Sequence, residues 1–556
     1  MHLISEDRSP ARPLLLLMLL FFIVNLFFVG NNICLWDDDE AAYAGFALRM
    51  IETGDWVNPQ FTWSDVHRKT PFHFWTIAVS YLIFGINEFA VRFPSALAVL
   101  LTALSIYFIS GKIWGQKTAA WASIIFSTSF LSISMGKMSL TDAWLMFFDT
   151  LAVLSLLRFL DQPSWKWNLL LWTAVALGIM VKGPPIIILL GGFWLGLAIL
   201  HPKRNKLIGT HPWIFGPLSL LPFVLWAYLS YKNDGGKLIT FLYEWYIVKR
   251  VGGAVFGQSG PPGYHFVVAI VAFIPWLPFF LKGFWNALRF ARHDEQHISL
   301  FLWLLFGWGF YELMSSKLPS YAMGAHPAMA IAAATVLVKY LEAEKNKVIA
   351  NWAWILTGIF WILLGLGAWI GFYYTFPNNN STIGFVATPM ITGGIALIFV
   401  KLEQKVLISA IWGALTLTLL WGVGGQAFDA SPAKSSRKIV ASMKTEAENY
   451  TKPKELTAAF CGFSFRQLHM SFPFYTERSF KEIKELSVQE AITEMNSGKP
   501  IIILVGEGAI PHLEFAIKQG SLKNLSYFEP APEWRSLNDQ LKVHPFIIMH
   551  NLGNTK

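Results

Sequence analysis

The sequence is poor in charged residues and in cysteine. Only 14% of its 556 residues are Asp, Glu, Lys or Arg, whereas 54% are hydrophobic and the mean hydropathy is +0.45. This composition excludes an ordinary soluble globular protein. The two cysteines, Cys34 and Cys461, lie far apart in the sequence and have no metal-ligand spacing. We therefore expect neither a disulfide nor a zinc site from them.

The first apolar run, residues 13–33, lacks the features of a cleaved signal peptide. It is longer than the apolar region of a secretory signal, and its last residues, NNI, offer no small-residue cleavage site. We interpret this run as a signal anchor that leaves Arg8 and Arg12 in the cytoplasm.

Long apolar runs recur as far as about residue 428. Each is close to the ~20 residues that a helix needs to cross a bilayer, so we predict a mainly α-helical protein with about thirteen transmembrane helices. The predicted spans are 13–33, 89–110, 118–134, 142–160, 166–182, 184–200, 213–231, 264–281, 298–314, 321–340, 350–374, 383–400 and 406–427.

The positions of the basic residues orient these spans. If the N-terminus is cytoplasmic, every even-numbered connection also faces the cytoplasm, and each of them contains Lys or Arg. This agrees with the positive-inside rule, which also explains the net charge of +9 without a nucleic-acid partner. An odd number of spans then places the C-terminal segment outside the cytoplasm.

The composition divides the chain near residue 430. Residues 1–429 form the predicted membrane domain, with a first outer loop at 34–88, and residues 430–556 have the mixed composition of a small soluble α/β domain. In the latter we predict strands at 456–460, 500–505 and 544–550 and helices at 488–496 and 513–519. In the outer loop, residues 71–85 are apolar but too short to span, which favours an interfacial helix.

Four acidic residues, Asp37 to Glu40, follow the first apolar run directly. Carboxylates are costly in hydrocarbon, so they must lie at the membrane surface or in a wet cavity. Crowded like charges move their pKa values apart, which is typical of a reaction centre. On local evidence alone, a solvated loop after a membrane anchor is an equally good interpretation.

A few basic residues lie in connections that should face outward, against the rule that orients the chain. Such exceptions more often serve a site than a topology. Alone, each could also anchor the chain at lipid headgroups. The residues are Lys69, Lys182, Lys249, Arg250 and Lys317.

Several motifs together resemble the bacterial aminoarabinose transferases, which belong with the protein O-mannosyltransferases to the C-type membrane glycosyltransferases. The resemblance covers nearly the whole chain. The order and spacing of the motifs make it specific, although each alone is weak. The motifs are LWDDDEAAYA at 35–44, GDWVNP at 54–59, RKTP at 68–71, LTD at 140–142, VKGP at 181–184 and SSKLPSY at 315–321.

The resemblance implies an inverting glycosyltransferase of the bacterial inner membrane, with its active site and C-terminal domain in the periplasm. It implies a polyprenyl-phosphate sugar as donor and lipid A, another envelope glycan or a protein as acceptor. Membrane lipids are its other expected partners, and we expect a monomer. No cofactor is required by the pattern, and a divalent cation stays open.

The resemblance also assigns roles to residues. The catalytic carboxylates are Asp39 as general base, Asp142 as second carboxylate, and Glu40. A helix cap or loop role is the alternative for Asp39. Phosphate binding falls to cationic side chains, because guanidinium and ammonium groups form charge-assisted hydrogen bonds with phosphate; these are Arg68, Lys69, Lys182, Arg250 and Lys317. The supporting residues are Tyr43, Glu244, Tyr264 and Tyr321.

The chain departs from the family pattern at three places. Ala42 replaces the family's arginine in D-E-A-R-Y, and Arg68 and Thr70 replace the glutamate and first proline of E-K-P-P. Trp245 stands where histidine is usual. The loss of the glutamate puts a metal site at position 68 in doubt, since a guanidinium repels cations. We predict that Arg68 supplies the charge that Ala42 lacks.

A multi-span transporter or lipid flippase is the competing hypothesis, since transporters also carry charges within many spans. Transporters are commonly built from related halves, and no internal repeat is evident in this sequence. The large acidic outer loop and the outer C-terminal domain also favour the transferase.

Overall fold

Two compact units make up the chain in the structure, which is a computed structural model. The described residues are 11–59, 69–244, 248, 259–343, 345–375, 380–430, 435–463, 470–537 and 543–555. We call the first the membrane unit, comprising Met1–Asn31, Thr53–Gln60 and Val66–Gly424. The second is the C-terminal unit, comprising Asn32–Glu52, Phe61–Asp65 and Gly425–Lys556.

The membrane unit is built from helices in its described residues. Its α-helices are Ala11–Phe27, Phe72–Phe84, Glu88–Ser105, Gly111–Trp114, Gln116–Ser127, Phe130–Lys137, Thr141–Asp161, Trp165–Lys182, Pro184–Leu200, Pro212–Asp234, Lys237–Tyr243, Tyr264–Ala272, Leu277–Arg289, Glu295–Leu304, Phe310–Leu313, His326–Glu342, Lys345–Val348, Asn351–Thr375, Asn380–Phe399 and Leu402–Leu419. Short 3-10 helices lie at Arg204–Thr210, Ile274–Trp276 and Tyr321–Ala325, and π-helical turns at Ile106–Ser110, Leu305–Gly309 and Leu420–Gly424.

Every predicted span overlaps one helix or a run of two or three consecutive helical segments. By length and composition, six helices in the described residues could cross a membrane, or up to eight if each of two bent pairs is one span. The bends are 60° between Gln116–Ser127 and Phe130–Lys137, and 80° between Tyr264–Ala272 and Ile274–Arg289. The mainly helical membrane architecture is confirmed, and the count of thirteen crossings stays a prediction.

The helices differ in how much protein surrounds them. The helix Thr141–Asp161 is central, since 89% of its apolar window is buried, whereas Pro212–Asp234 and Asn351–Tyr374 have only 17% and 22% buried. Apolar side chains left exposed on a helix of this length suit a lipid environment. The central helix is therefore the rigid element on which a site can be built.

The side chain of Lys137 donates hydrogen bonds to groups at the end of the first helix. The Lys137 side chain is buried, and its ammonium donates hydrogen bonds to the carbonyls of Leu26 and Val29 and to the Asn31 side-chain oxygen, at 3.0 Å for the last. The final carbonyls of a helix lack partners within it and carry partial negative charge. Lys137 therefore supplies hydrogen bonds to carbonyl groups at the end of Ala11–Phe27 that would otherwise be buried without partners.

The C-terminal unit contains a five-stranded mixed sheet. Its strands are β1 (Thr457–Cys461), β2 (Glu482–Leu486), β3 (Ile501–Gly506), β4 (Tyr527–Leu537) and β5 (Val543–His550). Their order is β2-β1-β3-β5-β4, with β1 parallel to both β2 and β3, and β5 antiparallel to β3 and β4. The uniformly buried β3 is the centre of this sheet.

Helices flank this sheet in the sequence, at Arg437–Glu448, Ser471–Ser479, Val488–Asn496 and Ile510–Lys518. The predicted strands near 456–460, 500–505 and 544–550 are confirmed within one residue at each end, as is the helix 488–496. The predicted helix 513–519 begins three residues earlier, at Ile510. The prediction of a small α/β domain is thus confirmed, although β2 and β4 were not anticipated.

The C-terminal unit also includes the helix Asp38–Thr53, which the sequence pattern assigns to the first outer loop. Three hydrogen bonds tie the start of this segment to the unit. The Cys34 amide donates to Asp429 Oδ1 at 2.7 Å, the Leu35 amide to the Tyr475 hydroxyl at 2.9 Å, and the Arg437 guanidinium to the Asn32 carbonyl at 2.8 Å.

Candidate functional site

The centre of the membrane unit holds an ion pair between Asp142 and Lys182. Asp142 lies in the first turn of Thr141–Asp161, and Lys182 is the last residue of Trp165–Lys182. Lys182 Nζ is 2.7 Å from Asp142 Oδ1, and the two side chains are 13% and 10% exposed. An acid near a helix N-terminus and a base at a helix C-terminus each oppose the local helix dipole.

Two neighbouring tyrosine rings lie on the Lys182 side of this pair, and one of them contacts Lys182 directly. Lys182 Nζ lies 5.1 Å from the centre of the Tyr321 ring, within cation–π range. The Tyr311 ring is 6.1 Å from that of Tyr321. The structure therefore brings together three predicted site residues, Asp142, Lys182 and Tyr321, although they lie on three separate segments of the sequence.

A second carboxylate lies two helical turns below Asp142. Asp149 is 3% exposed, and its Oδ1 has no hydrogen-bond partner among the residues that the structure describes. Its position depends on Gly324, where a Cβ atom would come within 2.7 Å of Asp149 Oδ2. The central helix thus carries two acids on one face, one paired with a lysine and one packed against a residue without a side chain.

Lys317 occupies a different environment in the same unit. Its buried ammonium donates to the Glu312 carbonyl at 2.6 Å and lies 3.6 Å from Glu312 Oε2. Tyr264 is half-buried, and its ring and Lys317 Cδ both lie within 3.2 Å of a Cβ built on Gly260. Lys317 and Tyr264 therefore meet where the backbone of Gly260 leaves room for them.

In the C-terminal unit, the acidic residues form the start of a helix. Asp37 Oδ1 accepts hydrogen bonds from the amides of Asp39 at 3.0 Å and Glu40 at 3.2 Å. Asp37 is therefore the residue that caps Asp38–Thr53. Asp39 is exposed in the first turn and accepts a hydrogen bond from the Tyr43 hydroxyl at 3.4 Å, whereas Glu40 is fully buried.

The capping residue has an altered acidity. Burial, and then repulsion from the neighbouring Asp39 and Glu40, raise the pKa of Asp37 to about 7. A helix N-terminus favours the ionised form of a carboxylate, and the amide of Glu40 acts in that direction here. Desolvation and crowding outweigh it, so Asp37 exchanges its proton near neutral pH.

The remaining predicted residues are placed as follows. Lys69 is half-buried at the start of the segment that leads into Phe72–Phe84, the predicted interfacial helix, and Glu244 is exposed just after Lys237–Tyr243. Arg68, Arg250 and Trp245 lie outside the described residues. Among the residues that the structure does describe, no group of three or more His, Cys, Asp or Glu side chains could hold a metal ion.

The sequence analysis missed three polar residues of the membrane unit: Asp149, His265 and Glu312. Asp149 and Glu312 lie inside predicted spans, where an ionisable residue is by itself a sign of function. His265 follows Tyr264, which the family pattern had singled out. Attention to lone charges within apolar runs would have identified both acids.

Comparison with known proteins shows which sequences the chain is similar to. Residues 68–229 match the family model described as dolichyl-phosphate-mannose-protein mannosyltransferase. One relative, from Proteus mirabilis, is named undecaprenyl phosphate-alpha-4-amino-4-deoxy-L-arabinose arabinosyl transferase 2. It is 26% identical over 322 residues, which cover 55% of this chain and 56% of the relative. A transferase of the same name, numbered 1, from Pseudomonas fluorescens is 27% identical over 330 residues, which cover 57% of this chain and 58% of the relative.

A solved structure extends the likeness over the whole chain. The crystal structure of ArnT from Cupriavidus metallidurans bound to undecaprenyl phosphate covers 98% of this chain and 99% of its own, with a TM-score of 0.74 at 18% identity. The chain is similar to aminoarabinose transferases in sequence and in fold. The apo ArnT structure agrees, with a TM-score of 0.71. The likeness in fold to ArnT thus extends over both units, whereas the sequence matches span a little over half the length of the two relatives.

Proposed function

We propose that the protein is an inverting glycosyltransferase that moves a sugar from a polyprenyl-phosphate donor to an acceptor of the bacterial envelope. The observation that carries the proposal is the largely buried contact between Asp142 and Lys182 beside Tyr321, in a chain that is similar to aminoarabinose transferases. An acid and a cation held together in this way suit a reaction that needs proton transfer and phosphate stabilisation.

In the proposed reaction, an acceptor oxygen forms a bond to the anomeric carbon of the sugar from the face opposite the phosphate. The bond between that carbon and the phosphate oxygen breaks, and its electron pair stays on the polyprenyl phosphate. The acceptor proton passes to a carboxylate. We assign this base role to Asp39, with Glu40 beside it in the sequence and the Tyr43 hydroxyl donating to Asp39.

The departing phosphate carries negative charge and needs cations. We assign it to Lys182, with Arg68, Lys69, Arg250 and Lys317 as the other members of the set. Lys182 has a side chain that is 13% exposed and a single carboxylate partner among the described residues, so it can exchange Asp142 for a phosphate oxygen without losing charge pairing. Tyr264 and Glu244 support this set.

We further propose that the reaction takes place at the periplasmic face of the inner membrane. The basic residues of the even-numbered connections support this orientation. The acceptor in this proposal is lipid A, another envelope glycan or a protein. The protein acts as a monomer in this proposal, and a divalent cation is not assigned a step.

The test is a transfer assay in membranes supplied with a polyprenyl-phosphate sugar. Asp39→Asn removes basicity with little change in volume, so we expect transfer to fall by ~10²–10⁴-fold, the usual contribution of a general base. Asp38→Asn is the matched control, since Asp38 is equally exposed in the same helical turn. Near-normal transfer by Asp39→Asn would remove the base role. Transport of the lipid without transfer would favour a flippase.

A further inference from the structure

The Glu312 carboxylate accepts three hydrogen bonds, two of them from another segment of the chain. Its Oε2 accepts from the Gly263 amide at 2.9 Å, and its Oε1 accepts from the Phe266 amide at 3.1 Å and from the Trp308 indole at 3.0 Å. Its side chain is 12% exposed. A carboxylate with this many donors is held in one orientation.

Two of these donors belong to a helix that begins elsewhere in the sequence. Tyr264–Ala272 starts after Gly263, whose φ is +86°, and no side chain of its own caps it. The first amides of a helix need acceptors from outside it. Glu312 supplies them from a second segment, so it acts as the cap of a helix to which it does not belong.

The same carboxylate faces the segment Ser315–Ser320 through Lys317. The Lys317 ammonium meets three oxygens: the carbonyls of Tyr311 at 3.4 Å and Glu312 at 2.6 Å, and Glu312 Oε2 at 3.6 Å. Two of the three ammonium donors are hydrogen-bonded to these carbonyls, and the ammonium forms an ion pair with the carboxylate oxygen. Lys317 can therefore stabilise a phosphate through the long-range attraction of its positive charge more readily than through a direct hydrogen bond.

Further contacts join the same two segments. His265 Nε2 lies 3.1 Å from the Leu318 carbonyl, so the ring is assigned a proton on Nε2. Ser259 and Ser316 form an antiparallel backbone bridge. The segment between Ser259 and Phe266 is thus fixed against Ser315–Ser320 at several points, with Glu312 between them.

We propose that Glu312 is a positioning residue that sets the place of Tyr321 next to Lys182. The segment held by Lys317 ends at Tyr321, and the Tyr321 amide bonds back to the Leu318 carbonyl at 3.1 Å. Tyr321 is the ring over which Lys182 lies. Loss of the Glu312 charge frees this segment and leaves Lys182 less well placed for a phosphate. This role rests on the proposed function.

The experiment uses Glu312→Gln in the full-length protein. The glutamine keeps the size of the side chain but removes the charge and turns one acceptor into a donor that faces amide groups. By hydrogen exchange with mass spectrometry, we expect faster exchange in peptides covering 259–272 and 315–321. Glu403→Gln, an exposed glutamate at the start of Leu402–Leu419, is the control and should leave both peptides unchanged.

Kinetics then separate positioning from a direct role. We expect the KM for the polyprenyl-phosphate donor to rise about tenfold, the effect of losing one charge-assisted hydrogen bond, while kcat stays within about threefold. Glu312→Gln combined with Lys317→Gln should be no worse than Lys317→Gln alone, because the loss of Lys317 already releases the segment through which Glu312 acts. A fall in kcat at unchanged KM, or additive losses, would overturn the proposal.

The two measurements also distinguish this proposal from the proposed function. If the unmodified protein shows no transfer, the function is wrong. The exchange measurement still decides whether Glu312 fixes the two segments. If exchange in both peptides is unchanged by Glu312→Gln, the positioning role is wrong whatever the activity.

Discussion

The chain accommodates two groups of carboxylates by different means. At the start of Asp38–Thr53, four acids are consecutive in the sequence. Asp38 and Asp39 are exposed and Glu40 is buried, and backbone amides donate to the capping residue Asp37. In the central helix, the acids lie seven residues apart and away from solvent, where Asp142 has a lysine partner and Asp149 has none for Oδ1.

This difference shows what each environment demands. At the helix start, solvent and the helix end stabilise the exposed charges, whereas burial and then crowding raise the pKa of Asp37. In the interior, each charge must be compensated by a specific side chain, or the space around it must be shaped for it. The first group is therefore suited to exchanging protons, and the second to holding a fixed geometry.

The strongest challenge to this comparison is removal of one partner of the buried pair. Lys182→Met leaves Asp142 without its cation, and we expect a loss of about 3–5 kcal/mol in the free energy of unfolding in detergent. Asp142→Asn with Lys182→Met should lose less than Lys182→Met alone, because no isolated charge is left.

The exposed ion pair between Lys117 and Glu342, at 3.0 Å, is the control for this measurement. Its side chains are 75% and 55% exposed, so Lys117→Met should cost less than about 1 kcal/mol. Equal losses from Lys182→Met and Lys117→Met would mean that burial does not distinguish the pair.

A smaller effect is expected from Gly324→Ala. The added methyl would lie 2.7 Å from Asp149 Oδ2 and 2.9 Å from Leu189 Cδ1, and such overpacking typically costs ~1–3 kcal/mol. Asp149→Ala in the same chain should restore part of the melting temperature lost. Gly367→Ala is the control, since a Cβ there meets no atom within 4 Å. Full tolerance of Gly324→Ala would show that the space around Asp149 is not shaped for it.

The last prediction is a pH dependence and concerns Asp37. Its pKa is raised from 3.8 to about 7, so the folded protein binds this proton more tightly than the unfolded chain. The stability gained from this preference is complete below pH 3.8 and is lost as the pH rises through about 7. Asp37→Asn keeps a capping oxygen but cannot ionise.

The melting temperature of Asp37→Asn relative to the unmodified protein should therefore rise across this window. Asp55→Asn provides the control, since Asp55 likewise accepts hydrogen bonds from following amides. A difference between Asp37→Asn and the unmodified protein that does not vary with pH would show that Asp37 has an ordinary acidity.

Much of the fold could be predicted from the sequence because it follows from local patterns. Apolar runs of bilayer length locate the helices, and alternating or continuous apolar runs locate β1, β3 and β5. The strand β2, with the sequence EIKEL, carries three charges in five residues and gives no such pattern. Its place at the edge of the sheet is set by pairing with β1, which no local signal encodes.

The candidate site was predictable as a set of residues but not as an arrangement. Family motifs identified Asp142, Lys182 and Tyr321, yet assigned the lysine to a ligand and gave no sign that it pairs with the aspartate. The partners lie 40 residues apart, and their contact depends on how two helices pack. Glu312 could be noticed as a lone charge in an apolar run. Its contact with a helix start about 50 residues away has no local signal in the sequence.

The Lys137 contacts have a consequence for how the protein is made. The carbonyl of Leu26 receives its hydrogen bond from a residue 111 positions later in the chain. At ~5–20 residues per second, the ribosome needs about 5–20 s to reach that lysine after the first helix has been synthesised. During this interval the end of the first helix must use water, lipid headgroups or the insertion machinery as partners. The first helix therefore reaches its final state only after the helix that ends at Lys137 has entered the membrane.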